Sequence, residues 1–344
     1  MDLSALDFEE VRARVVSAPA VVPVGGRTQW EVGGPPPSGI EVRAPGGVVA
    51  FDPADLTVTV GGGTAVVELE AALGAAGQEC PLDPRAPDAT VGGVLAAGLS
   101  GHRRLRHGPL RDRVLEVRFV TADGRVVKAG GPTVKNVSGY DLPRLLVGSL
   151  GTIGVIVQVT LRAQPRAERA AWAVGEGDPR EIHRRLFRPA CVAWDGAGTR
   201  VLIEGHHADV EGELRAAALV AVDAGPAWPE GAHRGRISVR PRAVVAVGEA
   251  LRSTDCRWLA EVGVGTVHVA ADGVDALAAA GEIARAHGGW LLREAGGTGL
   301  DPFGGPLPNL ALVRRIKAAF DPEGRMAPGR LPLGTGSASP SICC

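Results

Sequence analysis

Glycine spacing is the first feature of this sequence that could carry chemistry. Three clusters place backbone N–H groups in succession with no bulky side chain in the way: Val22-Pro23-Val24-Gly25-Gly26-Arg27-Thr28; Ala89-Thr90-Val91-Gly92-Gly93, with Gly98 and Gly101 beyond it; and Gly148-Ser149-Leu150-Gly151-Thr152-Ile153-Gly154. Consecutive amides of this kind can wrap an anion such as a pyrophosphate. Taken singly, each cluster reads as well as a tight turn; three within one stretch of chain point to a phosphate-bearing ligand. A Walker-type loop is excluded, because Gly61-Gly62-Gly63-Thr64 lacks the lysine that reaches a terminal phosphate. A Rossmann fingerprint is excluded too: Gly148 to Gly154 runs GxxGxxG, not GxGxxG, and leads into a strand, VIVQVTLR.

A second group of residues could move a proton or grip a carboxylate. The run GHRRLRHGP supplies His102, Arg103, Arg104, Arg106 and His107, and His268 lies in GVGTVHVA. An imidazole near its pKa is a ready general base, and a guanidinium holds a carboxylate in a fork. Two plainer readings stand beside these: a charge run is ordinarily a solvated loop, and His268 alternates with Val267 and Val269 as any strand residue would. Five cysteines, at 80, 191, 256, 343 and 344, form no CxxC pair that would hold zinc or an iron–sulfur cluster. They read as reduced, mostly buried thiols, and no metal site is expected.

The elements that must position these residues fall into distinct textures. Ser4 before ALDFEEVRARVV predicts an N-terminal helix within residues 1–18. From 19 to 165, short β-rich runs alternate with glycine clusters, and Asp123-Gly124 between two alternating runs predicts a hairpin. Thr64 is the expected cap of a helix carrying Val66, Leu69, Leu73 and Ala76 on one face, stopped by Gly77. Residues 166–305 alternate strand candidates (CVAW, RVLIE, RISVR, CRWLAEV, TVHVA, WLLR) with helices near 209–222, 242–252 and 274–287, the last capped by Asp272. That pattern predicts a sheet with helices on one face. Residues 306–334 hold a last helix, with Leu312, Val313, Ile316 and Phe320 inward, and a turn-rich return segment; 335–344 read as a disordered tail. The fold class is α+β, with two cored domains in 344 residues.

A net charge of −1 gives no basic face for nucleic acid. No run of about 18 apolar residues is present to span a bilayer, and the first residues lack the layout of a signal peptide. The expected location is the cytoplasm, at a membrane periphery only where partners bring the chain there.

The ordered set VPVGGRT, GGGTAVVELEAALGAAGQECPLDP, ATVGGVLAAGLSG, RHGPLRDRVLEVRFVTADGRVV and VKNVSGYDLPRLLVGSLGTIGVIVQVTLR resembles the FAD-binding domain of the p-cresol methylhydroxylase/vanillyl-alcohol oxidase superfamily, most nearly the FAD-binding subunits of glycolate oxidases. FDPEGRMAPGRL is similar to that family's C-terminal return segment. The resemblance implies FAD lying extended between two subdomains of a PCMH-type domain, its pyrophosphate held by loop amides. Carried over residue by residue, Pro23, Val24, Gly25, Gly26, Arg27 and Thr28 form the first loop and Pro84, Thr90, Gly92 and Gly93 the second. Gly98, Ser100 and Gly101 pass beside the flavin, and Gly154 and Ile156 offer backbone to it. Val157 and Gln158 replace the threonine and glutamate usual in the family. Tyr140 and Asp141 match its GYDL motif, with Tyr140 read as a buried ring and Lys135 as an ion-pair partner of Asp141. Arg27 stands where a flavin-linking histidine often sits, and the nearest cysteine is Cys80, so FAD is expected to be non-covalent.

The family's catalytic branch carries an HxGDGNxH-like motif, whereas the matching stretch here has His268 alone. Two readings therefore follow. In one, the chain is an FAD oxidoreductase that oxidises a small 2-hydroxy acid, with His268 the candidate base. In the other, it bears flavin for electron transfer or structure within a complex. Either way, the resemblance implies a larger FAD subunit and an iron–sulfur subunit as partners.

Overall fold

The computed structural model describes residues 6–34, 38–131 and 141–332. Ser4, Lys135, Tyr140, Cys343, Cys344 and the tail lie outside them.

Helix α1 (Glu9–Ser17) buries Val11 and Val15 and ends before Pro19. Strands β1 (Val21–Pro23) and β2 (Ile40–Val42) pair in parallel, and Val21 also bridges Met326 of the return segment. Strands β3 (Val48–Asp52) and β4 (Thr57–Gly61) lead into helix α2 (Val66–Gly74), which buries Val66, Leu69 and Leu73. The expected cap is not made. The Thr64 hydroxyl donates to the Gly61 carbonyl at 2.7 Å and accepts from the Gly47 amide, tying two loops together and leaving Ala65 to open the helix.

Strand β5 (Gln78–Glu79), helix α3 (Val91–Ala97) and the single-turn helix α4 (Arg104–His107) follow. The hairpin of β6 (Val114–Val120) and β7 (Val126–Gly130) turns at Gly124, whose φ of 80° places it in the left-handed region. Helix α5 (Leu142–Leu146) and strand β8 (Val155–Arg162) complete an antiparallel sheet of order β3-β4-β8-β6-β7. β8 reads as a continuous apolar run because both its faces are covered: Val155 and Val157 pack beneath α1, while Val159 and Leu161 join the core of α2 and α3.

Strand β9 (Gln164–Pro165) pairs with β5. The chain then enters an eight-stranded, wholly antiparallel sheet built from β10 (Arg169–Gly175), β11 (Cys191–Trp194), β12 (Thr199–Gly205), β13 (Val220–Val222), β14 (His233–Ser238), β15 (Arg257–Glu261), β16 (Thr266–Ala271) and β17 (Trp290–Ala295). Its order is β13-β10-β12-β11-β15-β16-β14-β17. One face is covered by helices α6 (Pro179–Arg185), α7 (His207–Ala216), α8 (Val244–Leu251) and α9 (Val274–Ala286), whose apolar stripes meet Val201, Ile237, Ala260, Val267 and Val269.

Three further differences from the sequence expectations lie in the second sheet and its helices. The helix expected over 209–222 ends at Ala216, and its last residues form the edge strand β13, which pairs with β10. Strand β10 is not among the strand candidates, because its short alanine-rich pattern carries little strand signal. Asp272 does not cap α9, because its carboxylate is held by Arg257 at 2.7 Å.

Helix α10 (Leu310–Phe320) lies against the first sheet through Ile316 and Phe320, with Phe320 and Phe119 ring centroids 5.9 Å apart. Leu312, expected inward, is exposed. Lys317 donates to the carbonyls of Thr152 and Met326, so the helix holds the return segment against the first sheet. No helix among the described residues is long and apolar enough to cross a membrane.

Candidate functional site: a glycine-walled cleft and an arginine-lined cavity

The first and second glycine clusters press against each other. A Cβ built on Gly26 would lie 1.7 Å from the Asp88 carbonyl oxygen, and one on Gly25 would lie 2.1 Å from the Thr90 hydroxyl. Only glycine permits this approach. The packing opens a cleft lined by Pro23, Val24, Gly25, Gly26, Arg27, Thr28, Thr90, Gly92, Gly93, Gly154 and Ile156, all named from sequence.

The amides of Gly25, Gly26, Arg27 and Thr28 bond no group among the described residues. Arg27 has a φ of 58°, the left-handed turn that aims successive N–H groups to one side. Two other amides of these loops are not available. Val24 donates to Val42 and Gly92 to Gly62, because the parallel β1–β2 pair and the start of α3 consume them.

Not every carried-over residue reaches the cleft. Ser100 and Gly101 line a second cavity beside it. Gly98 lines neither space; it terminates α3 in the left-handed region, φ 69°, against the backbone of Gly148. Pro84 also lines neither, although its neighbours Asp83 and Arg85 face the second cavity. Cys80 is packed in the first core, where burial pushes its thiol up to about 12, so it presents no thiolate to a cofactor.

Arg330, not singled out from sequence, lines the cleft with 6% of its surface exposed. It donates to the Val32 carbonyl at 2.7 Å and stacks on Trp30, with no acidic partner among the described residues. Burial lowers its pKa. A desolvated cation without a counter-charge is costly unless an anion meets it.

The second cavity, about 240 Å³, adjoins the cleft at Thr28 and Gln29, which line both. Its far wall is the face of the eight-stranded sheet opposite the helices. Arg236 on β14 and His268 on β16 are direct cross-strand partners on that face, 4% and 3% exposed. Arg234 lies two residues along the same strand, and Arg85, Trp228 and Glu294 close the side. Sequence reading missed the arginines of β14. HRGRIS alternates correctly, but only the register with TVHVA shows that its charged face meets His268.

His268 is thus more than an ordinary strand residue. Its Nε2 stands 3.4 Å from Oε1 of Glu261, a carboxylate also bonded by His102 Nδ1 at 3.2 Å. Trp228 stacks on His102 with centroids 3.8 Å apart and meets His268 edge-on at 4.6 Å. Burial would push the Glu261 carboxyl up, but His268, the bond from His102 and Arg236 outweigh it and hold it down to about 2.

The GHRRLRHGP run is not a solvated loop. Arg103 grips Asp83 through Nε and Nη2 at 2.7–3.0 Å, Glu79 at 2.7 Å and Glu204 of β12 at 3.2 Å. His107 meets Glu204 at 2.9 Å, and Arg106 donates to the Glu204 carbonyl at 2.7 Å. Burial would pull the Arg103 guanidinium down, but the bonds to Asp83 and Glu79 raise it. Glu204 is likewise pushed up by burial and brought below its usual range by His107 and Arg103. These residues dock the second sheet on the first domain, so Arg103 and Arg106 are not free to grip a substrate.

Residues 7–130 match the model of the FAD binding domain family. The chain is 44% identical over 129 residues to glycolate oxidase subunit GlcE of Escherichia coli K12, 37% of each protein. It is 38% identical over 157 residues to the mitochondrial D-lactate dehydrogenase [cytochrome] of Arabidopsis thaliana, 45% of this chain and 28% of that one. It is 34% identical over 122 residues to glycolate oxidase subunit GlcD of Bacillus subtilis, 35% of this chain and 26% of that one. The matched segments thus span little more than a third of these relatives at most. A solved structure of alkyldihydroxyacetonephosphate synthase aligns over 94% of this chain and 74% of its own, with TM-score 0.66 and 15% identity, a likeness of fold.

Proposed function

We propose, from the premise that the N-terminal part of this chain is an FAD-binding domain of the PCMH type, that the protein is a flavin-dependent oxidoreductase that converts a small 2-hydroxy acid into its 2-oxo acid. The observation that carries the reading is the junction at Thr28 and Gln29, which line both the glycine-walled cleft and the adjoining cavity that holds Arg236 opposite His268.

The residues present fit FAD. Among the described residues the amides of Gly25 to Thr28 bond no group and Arg330 has no acidic partner, and Gly25 and Gly26 leave a cradle that any Cβ would fill. Pyrophosphate oxygens would accept from those amides. When bound, FAD supplies the two-electron acceptor for the hydrogen leaving the substrate's α-carbon. Arginine at position 27 and burial of Cys80 support non-covalent attachment, which release of the yellow chromophore on acid precipitation would test.

The chain's own side chains supply the rest. The Arg236 guanidinium offers a carboxylate its parallel donors. His268, with Nε2 turned to Glu261, keeps Nδ1 for the cavity and takes the hydroxyl proton there. Glu261 holds the ring in place and stabilises the imidazolium that results.

Two relatives are named as glycolate oxidase subunits, which supports assembly with a larger flavin subunit and an iron–sulfur subunit that carries electrons onward. Mixing the purified chain anaerobically with a 2-hydroxy acid tests its own competence. Bleaching of the flavin band supports the proposal, and bleaching only after partner chains are added assigns the chemistry to them.

A further inference from the structure

The cavity holds more positive charge than one carboxylate needs. Asp83 is spent on Arg103, and Glu294 lies 3.6 Å from Arg85. Glu261 is taken by His102 and His268. Arg234 and Arg236 then have no acidic group within ion-pair distance among the described residues. Arg236 is 96% buried by its 4% exposure and makes one long contact, 3.5 Å, to the Ser100 carbonyl. Arg234 leaves its Nε buried and unbonded.

The two guanidiniums are not redundant. They sit two residues apart on one face of β14, so their Cα atoms lie about 6.6 Å apart along the strand. Arg236 is paired in register with His268 and its charge is felt by Glu261 and Arg104. Arg234 lies toward Arg85, whose guanidinium its charge disfavours. The wall thus offers one anion position beside the proposed base and another at the Arg85 end. Arg236 is buried and Arg234 half-buried, both without an acidic partner among the described residues, and one carboxylate cannot serve both ends.

Resting on the oxidase reading above, we infer that the substrate is a 2-hydroxy dicarboxylic acid, its α-carboxylate at Arg236 and its distal carboxylate at Arg234. The hydroxyl and its carbon then lie at the His268 end, and the second charge makes no part of the redox step. Hydride and proton leave the same carbon–oxygen unit as in a monocarboxylate, so the second carboxylate acts through affinity and alignment.

The test compares anaerobic flavin reduction in the FAD-loaded full chain by glycolate and lactate with that by malate and 2-hydroxyglutarate. The dicarboxylates are expected to win by about tenfold or more in kcat/KM. Arg234→Met is expected to lower that ratio by about tenfold, mainly through KM, and Arg234→Lys to restore part of it. Equal or better use of the monocarboxylates, or a ratio insensitive to Arg234→Met, overturns the inference while leaving the oxidase reading intact. Should no hydroxy acid reduce the flavin, glutarate and acetate are titrated against its visible spectrum. Saturable perturbation by glutarate alone upholds the dicarboxylate site and fails the oxidase reading; none by either fails the site.

Discussion

Neutralising Glu261 gives the sharpest energetic test of the two-histidine cluster. The carboxyl is 1% exposed, and its neighbours hold it at about 2 against an ordinary value of 4.5. A carboxylate depressed by folding stabilises the native state above its unfolded pKa, and that contribution is lost as pH falls through 4.5 toward 2. Between pH 5 and pH 3 the linkage relation with these two values removes about 2 kcal/mol of unfolding free energy. Glu261→Gln keeps the shape of the side chain and deletes its titration, so the variant should be the less stable near neutrality and lose about 2 kcal/mol less than the wild type over that window. Urea unfolding at several pH values, followed by tryptophan fluorescence, reads this difference. Parallel stability curves for the two proteins from pH 5 to pH 3 would refute the claim that His102 and His268 jointly hold a buried carboxylate.

His268→Ala should lower the rate of anaerobic flavin reduction by about 10²–10⁴-fold with FAD retained; wild-type rates would return that ring to a purely structural role. Arg103→Met removes the cation that Asp83, Glu79 and Glu204 share and should cost about 3 kcal/mol, seen as a lower urea midpoint. Cys80 and Cys191 are buried with thiols pushed up by burial, so a maleimide at pH 8 should label neither in the folded protein and both after unfolding. Labelling of Cys80 in the native state would contradict its place in the first core.

The cleft was legible because backbone contact leaves its mark on sequence: where the loop at Gly25 and Gly26 touches Asp88 and Thr90, nothing but glycine fits. Most strands of both sheets showed in their β-branched runs, whereas the alanine-rich β10 and the exposed edge strand β13 did not. The partners of a charge are harder to see. Arg103 meets carboxylates 20, 24 and 101 residues away in sequence, so a run that binds two domains together looks the same on paper as a solvated loop. Arg234 and Arg236 were missed for a related reason, as alternation assigns them to a face and only register with β16 puts His268 on it. Thr64 and Asp272 show the converse: each has the right type and position for a cap, and each makes a tertiary bond instead.

The central claim is that unspent main-chain amides of residues 25–28 and the adjoining loop hold a flavin dinucleotide. It is tested most directly by stripping the purified chain of any chromophore and titrating FAD into it, with quenching of flavin fluorescence as the signal. The account predicts saturable, near-stoichiometric uptake that Gly26→Glu abolishes, because a carboxylate there meets both the Asp88 backbone and the pyrophosphate. A wild-type chain that takes up no FAD, or a Gly26→Glu chain that takes it up equally well, would contradict it.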